Sequence, residues 1–183
     1  TNDNVIRREL SLLEGDPFNK SKLTTSISAL RRLGYFQSVN YRLDEIDSNL
    51  IDVILDVKET NTGSVSFGVG YSSLNNTSFS FGLNEKNFLG EGKKVRFQAD
   101  LSEKKSTYNI GVTEPYFLDR NISLYGDIFN QETENTKGDI KSSSSGFGFG
   151  IGFTNESFTQ SFKYKLSTSE TTTSSTCLLY TSD

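Results

Sequence analysis

From Thr62 onward the chain adopts strict two-residue alternation, and few folds tolerate what that alternation contains. In Thr62–Asn84, TGSVSFGVGYSSLNNTSFSFGLN, Val65, Phe67, Val69 and Tyr71 share one face, and Ser64, Ser66, Gly68 and Gly70 share the other. After a break at Ser72–Asn76, Phe79, Phe81 and Leu83 renew the apolar face against Ser78, Ser80, Gly82 and Asn84. Successive residues of a strand point to opposite sides, so this segment is a wall between an apolar and a polar environment. An apolar outside with a polar, glycine-rich inside is the pattern of a transmembrane β-barrel strand, which gains weight by recurrence.

It recurs to about Leu166. Val95–Leu101, Tyr108–Val112, Ile122–Ile128 and Phe147–Phe153 alternate in the same way, and Phe158–Leu166 does so less cleanly. The joins form two sets. Ser72–Asn76, Ser102–Ser106 and Asn130–Ser144 are polar, whereas Glu85–Gly92, Glu114–Asn121 and Thr154–Glu156 are turn-like. Two alternating sets of joins suit an up-and-down antiparallel meander with one set in each compartment.

The segment before Thr62 follows another rule. Val5, Ile6, Leu10 and Leu13 share a helical face after Asp3 as a candidate cap, and Gly15-Asp16-Pro17 marks a stop. Asn19 is placed to cap a second helix, with Leu23, Ile27 and Leu30 inward, Arg31 and Arg32 at its C-terminal end and Gly34 as the terminator. Tyr35–Leu43 and Ile51–Lys58 alternate as two strands around a polar turn at Asp44–Asn49. The fold class expected is a partial α+β module followed by an all-β antiparallel meander, the first strands of a transmembrane barrel. The boundaries read as 1–59 for the module, lacking a strand before Thr1, 60–62 for a linker, 63–167 for the barrel strands and 168–183 for an unstructured tail. The last eight residues, Thr176–Asp183, resemble translated adaptor sequence and carry the lone cysteine, Cys177.

Composition closes several function classes. Mean hydropathy of −0.47 and the lack of any long apolar run exclude a spanning helix. A net charge of −4 offers no basic stripe for phosphates, so no nucleic-acid partner is expected. With no histidine and one cysteine, histidine-based triads, histidine zinc sites and intrachain disulfides have no residues to build them. No cofactor, metal site or catalytic residue is expected. The Gly-x-Gly repeats lack the strand–turn–helix setting of a dinucleotide site, and Glu132, Glu134 and Asp139 read as a solvated loop. A chain starting at Thr1 with no methionine reads as an internal piece of a longer precursor.

Three stretches together resemble the BamA family of outer-membrane protein assembly insertases. They are Val5–Val39, similar to the family's last POTRA module; Val57–Ser73, similar to its junction of POTRA and barrel; and Asn87–Val95 with Val112–Leu124, similar to its first two periplasmic turns. The resemblance implies a periplasmic POTRA module and outer-membrane barrel strands, with the lipid bilayer, unfolded outer-membrane protein clients and accessory periplasmic lipoproteins as partners. It implies a client-strand site on the first barrel strand, Gly63, Ser64, Val65, Ser66, Phe67, Gly68, Val69, Gly70 and Tyr71. It also implies lipoprotein contacts at Arg7 and Glu14, which composition alone reads as solvated charges. For Gly68 and Gly70 two readings stand: glycines that weaken strand pairing, or spacers that spare lumen volume. Rival functions are a secretion or translocation pore of the same superfamily, two-partner secretion or TamA-like, and, against the preceding module, a passive porin or adhesin.

Overall fold

The computed structural model describes residues 1–47, 50–73, 76–135, 140–154 and 159–173. The element order is α1 (Asp3–Arg7), α2 (Lys20–Leu33), β1 (Phe36–Asp47), β2 (Leu50–Glu59), then β3 (Gly63–Ser72), β4 (Asn76–Phe88), β5 (Lys93–Ser102), β6 (Lys105–Glu114), a 3₁₀ turn at Phe117–Asp119, β7 (Ile122–Asn135), β8 (Ile140–Thr154) and β9 (Thr159–Thr173). Two compact units result. One holds Thr1–Gly63 together with Glu85–Lys94, and the other holds Ser64–Asn84 with the chain from Val95 on.

In the first unit α2 forms as its punctuation dictates. The Asn19 side chain accepts from the amides of Ser21 and Lys22 at 2.9 and 3.2 Å, satisfying two donors that a helix start leaves open. Gly34 closes the helix with φ of 69°, a conformation that costs a residue bearing Cβ. Leu23, Ile27 and Leu30 are buried against Tyr35, Phe36, Val39 and Val5, which make up the core. Arg31 donates from Nη2 to the Val39 carbonyl at 2.9 Å and so ties the end of α2 to β1.

Helix α1 departs from expectation. It spans Asp3–Arg7 with Asn2 at the N-cap position, and Asp3 lies inside its first turn rather than at the cap. After Arg7 the chain tightens into i→i−3 bonds, Glu9 N to Ile6 O and Leu10 N to Arg7 O. Leu13, placed on the inward face by periodicity, is 71% exposed. The physical reason is buried Ser26, whose hydroxyl accepts from the Ser11 amide and donates to the Lys22 carbonyl, both at 2.8 Å. That bond draws the segment after α1 across α2 and ends the helical register.

Strands β1 and β2 pair antiparallel, from Phe36 opposite Glu59 to Asp47 opposite Leu50. The turn expected at Asp44–Asn49 is therefore shorter, because Asp44–Asp47 continue the strand; residues 48 and 49 lie outside the described residues. Among the described residues the two strands form their own sheet. Between α1, the Leu10–Phe18 segment and β2 lies an open groove of about 1120 Å³, lined by Ile6, Leu10, Leu13, Ile51, Val53 and Leu55 among others.

The other strands form a seven-stranded sheet in sequence order, β3 through β9, the meander that the alternating joins require. Where registers are resolved they run without a slip: Lys105–Glu114 against Leu124–Thr133, Ile122–Asn135 against Ile140–Phe153, and Ile140–Thr154 against Thr159–Thr173. The strands outrun the hydrophobic pattern. β4 continues through Phe88, β7 and β8 extend over much of the polar Asn130–Ser144 join, and Glu132 and Glu134 are strand residues. β9 runs on to Thr173, which corrects the expected loss of structure after Ser167. Phe158, Asp139 and the last residues, Thr176–Asp183, lie outside the described residues.

Candidate functional site

The first-strand residues lie on β3, which among the described residues pairs with β4 at one end of the sheet, as β9 pairs with β8 at the other. Among the described residues no strand pairs with the second edge of β3, where the Gly63 amide is taken by Asn61 Oδ1, and a strand edge of this kind is the chemistry by which a sheet accepts another strand. Its apolar face is open: Val65, Phe67, Val69 and Tyr71 are 62–78% exposed.

The polar face explains the glycines. A Cβ on Gly68 would meet the Ser80 hydroxyl, one on Gly70 would lie 3.1 Å from Ser78 Oγ, and one on Gly82 would lie 2.6 Å from Ser66 Oγ. Serine and glycine thus alternate across the β3–β4 pair so that each hydroxyl occupies the space over the facing glycine. Ser66 Oγ donates to the Gly82 carbonyl at 3.4 Å and Ser78 Oγ to the Gly70 carbonyl at 3.3 Å, long bonds that add to the ladder. The space above these glycines is used for pairing with β4.

The same device recurs at larger scale on β8. Asp127, Tyr125 and Phe129 of β7 face Gly148, Gly150 and Gly146. Lys165 and Lys163 of β9 reach across the glycine gutter, with Lys165 Nζ 3.8 Å from the Phe129 ring centre and Lys163 Nζ 5.6 Å from that of Tyr125. Such cation–ring contacts join β7 to β9 over a strand that has no side chains between them. Nothing in local sequence pairs residues thirty or more positions apart, so only the glycine run hints at this arrangement.

Arg7 and Glu14, separated in sequence, are brought together in the first unit. Arg7 Nη1 donates to Glu14 Oε1 at 2.7 Å, and Arg7 Nε to the Asp3 carboxylate. Asp3 first, then Glu14, hold the guanidinium above its ordinary pKa. The cluster is exposed and borders the groove beside β2. Exposed pairs of this kind contribute little stability.

Sequence reasoning missed a polar clasp where β3 begins. Thr62 Oγ1 donates to Glu85 Oε1, the Asn87 amide donates to the same oxygen at 2.8 Å, and the Lys86 amide to the Thr62 carbonyl at 3.3 Å. The Thr62 hydroxyl, then the Asn87 amide, hold the Glu85 carboxyl below its ordinary pKa. Asn87 extends the network, donating from Nδ2 to Thr1 Oγ1 at 2.8 Å and accepting from the Gly92 amide at 2.7 Å. The Asn2 amide donates to the Gly90 carbonyl at 2.7 Å, and Tyr35 Oη reaches the Gly92 carbonyl at 3.5 Å. Gly90 and Gly92 have φ near 75°, and a Cβ on Gly92 would strike the Arg8 guanidinium.

Comparison with known proteins places this geometry. An Omp85 superfamily domain matches residues 87–180, and a POTRA domain, described as a surface antigen variable number repeat, matches residues 1–60. The chain is 31% identical over 159 residues to the outer membrane protein assembly factor BamA of Buchnera aphidicola, covering 84% of this chain and 26% of that protein. It is 36% identical over 135 residues to a putative outer membrane protein assembly factor of Treponema pallidum, covering 70% of this chain and 16% of the relative. The crystal structure of BamA from Haemophilus ducreyi lacking POTRA domains 1–3 superposes with a TM-score of 0.81 at 28% identity, covering 94% of this chain and 34% of that one. The chain therefore spans about a quarter or less of the curated relatives quoted.

Proposed function

The chain belongs to the Omp85 superfamily, and from that premise we propose that it is the POTRA–barrel junction of an insertase that assembles other outer-membrane proteins. Its strands belong to the outer membrane and its POTRA module to the periplasm. The observation that carries the proposal is the place of β3: it directly follows the module and, among the described residues, is the first strand of the sheet. An unfolded client strand entering a bilayer cannot leave backbone groups unpaired, since each such group in hydrocarbon costs several kcal/mol. Gly63–Tyr71 offers the missing partners in register, so a client hairpin adds by β-augmentation and lowers the insertion barrier without any bond-making chemistry. The Ser–Gly pairing with β4 supports this reading, because it holds β3 on one side and leaves the other side to the client.

Within this reading Arg7 and Glu14 dock an accessory periplasmic lipoprotein, exchanging their mutual ion pair for pairs across the interface. The groove beside β2 takes a further strand of the POTRA sheet. The rival is a secretion or translocation pore of the same superfamily, which moves its cargo through the lumen. The test is insertion of a model barrel client into liposomes by the full-length protein, with β3 tied by a disulfide to the strand that closes the barrel. Activity lost when oxidised and restored by reductant supports augmentation. Full activity while oxidised overturns it and favours a lumenal route.

A further inference from the structure

We infer that Glu85 is a positioning residue which, through Thr62 and Asn87, fixes the point where the client-accepting strand leaves the periplasmic module. This rests on the reading of β3 as the receiving strand. A receiving edge works only if its register is defined, and strand register is otherwise set by the pleat and the adjoining turn. At the start of β3 neither suffices, because Asn61–Gly63 arrives from an exposed linker.

The Glu85 carboxylate supplies the constraint. One oxygen takes the Thr62 hydroxyl and the Asn87 amide together. The other stands 2.8 Å from where a Cβ on Gly63 would lie, so the strand begins on glycine because the carboxylate lies against its backbone. The Asn61 side chain accepts from the Gly63 amide at 3.1 Å and closes the same corner. Asn87 then passes the constraint to the inner turn, with Thr1 and Gly92 as its partners. Hydrogen bonds to an ionised carboxylate are about twice as strong as neutral ones, which makes Glu85 the centre of the clasp.

The experiment is hydrogen–deuterium exchange of the full-length protein in lipid, read at Gly63–Ser66, with client insertion measured on the same samples. Glu85→Ala and Thr62→Val should each speed exchange there about tenfold, and the double variant should be no faster than either single one. Thr62→Ser keeps the hydroxyl and should exchange at the wild-type rate, while β6–β8 should be unaffected throughout. Unchanged exchange in the single variants, or additive effects in the double, would overturn the clasp. Exchange that rises while insertion by the same variants stays at the wild-type rate would overturn its positioning role. Wild-type protein that inserts no client would refute the insertase reading instead, while exchange would still decide the clasp.

Discussion

Two glycines of the sheet give opposite expectations, and their contrast tests the account of how it is held. At Gly146 an added Cβ would meet the Leu166 carbonyl, lie 2.8 Å from Ser167 Cα and 2.9 Å from the Phe129 ring. The first two are backbone atoms of β9, so no rotamer change relieves them and β8 must part from β9 locally. Overpacking of this kind costs about 1–3 kcal/mol, and one weakened ladder hydrogen bond adds about 1 kcal/mol. Gly146→Ala should therefore destabilise the barrel by about 2–4 kcal/mol. A Cβ at Gly126 meets nothing within 4 Å, and with an ordinary strand φ, Gly126→Ala should fall within about 0.5 kcal/mol of wild type or stabilise slightly. The assay is urea unfolding of the full-length barrel in lipid vesicles, followed by the loss of its compact electrophoretic form. Equal midpoints for the two variants would refute the argument that close strand approach, rather than glycine content, sets the requirement.

Other outcomes follow from the same geometry. Phe81→Arg, on the apolar face, should cost about 2–4 kcal/mol if the site lies at the bilayer midplane; cysteines at Phe67 and Phe81 should resist water-soluble thiol reagents while those at Ser66 and Ser80 react, and equal labelling would refute the facing. Arg7→Glu or Glu14→Lys should weaken co-purification with a periplasmic lipoprotein and change its salt dependence while leaving the barrel folded; unchanged pull-down from both would return the pair to ordinary surface charge. Val65→Pro removes a backbone donor on the edge away from β4 and fixes φ, so it should cripple insertion, whereas Val65→Ile keeps the donor and should be tolerated; equal activity of the two would argue against backbone recognition.

What the sequence revealed depended on which physical signal each element emits. α2 was legible at both ends because Asn19 and Gly34 act locally, one by a side-chain acceptor and the other by its φ. The sheet was legible wherever one face meets lipid, since only there does alternation carry hydrophobic contrast. Beyond that band both faces meet water, so Ser142–Ser145 of β8 and Thr168–Thr173 of β9 pair fully while showing no period. α1 was overextended because the bond that redirects it, Ser11 to Ser26, is tertiary. The place of β3 at the start of the sheet followed from strand count and order; Arg7 and Glu14 came from resemblance and sit together. Glu85 was hidden because its partner Thr62 lies on another strand's approach, with nothing in either residue's neighbours to link them.

The membership of Glu85–Lys94 in the first unit bears on the order of biogenesis. The turn between β4 and β5 is bonded to Thr1, Asn2 and Tyr35, across separations of 57 to 88 residues. Closing loops of that length carries an entropic cost that rises only slowly with length but must be met before the contacts reward it. The helical core of the module forms from local contacts, yet its last surface waits for a hairpin that belongs to the membrane sheet. The module and the turn should then open as one unit assembled from separated stretches of chain, with the Gly92 amide exchanging together with α2 rather than with β5. A nascent chain stalled before Lys94 would hold a periplasmic module that is folded but unfinished, and completion of the β4–β5 turn would be the event that seals it.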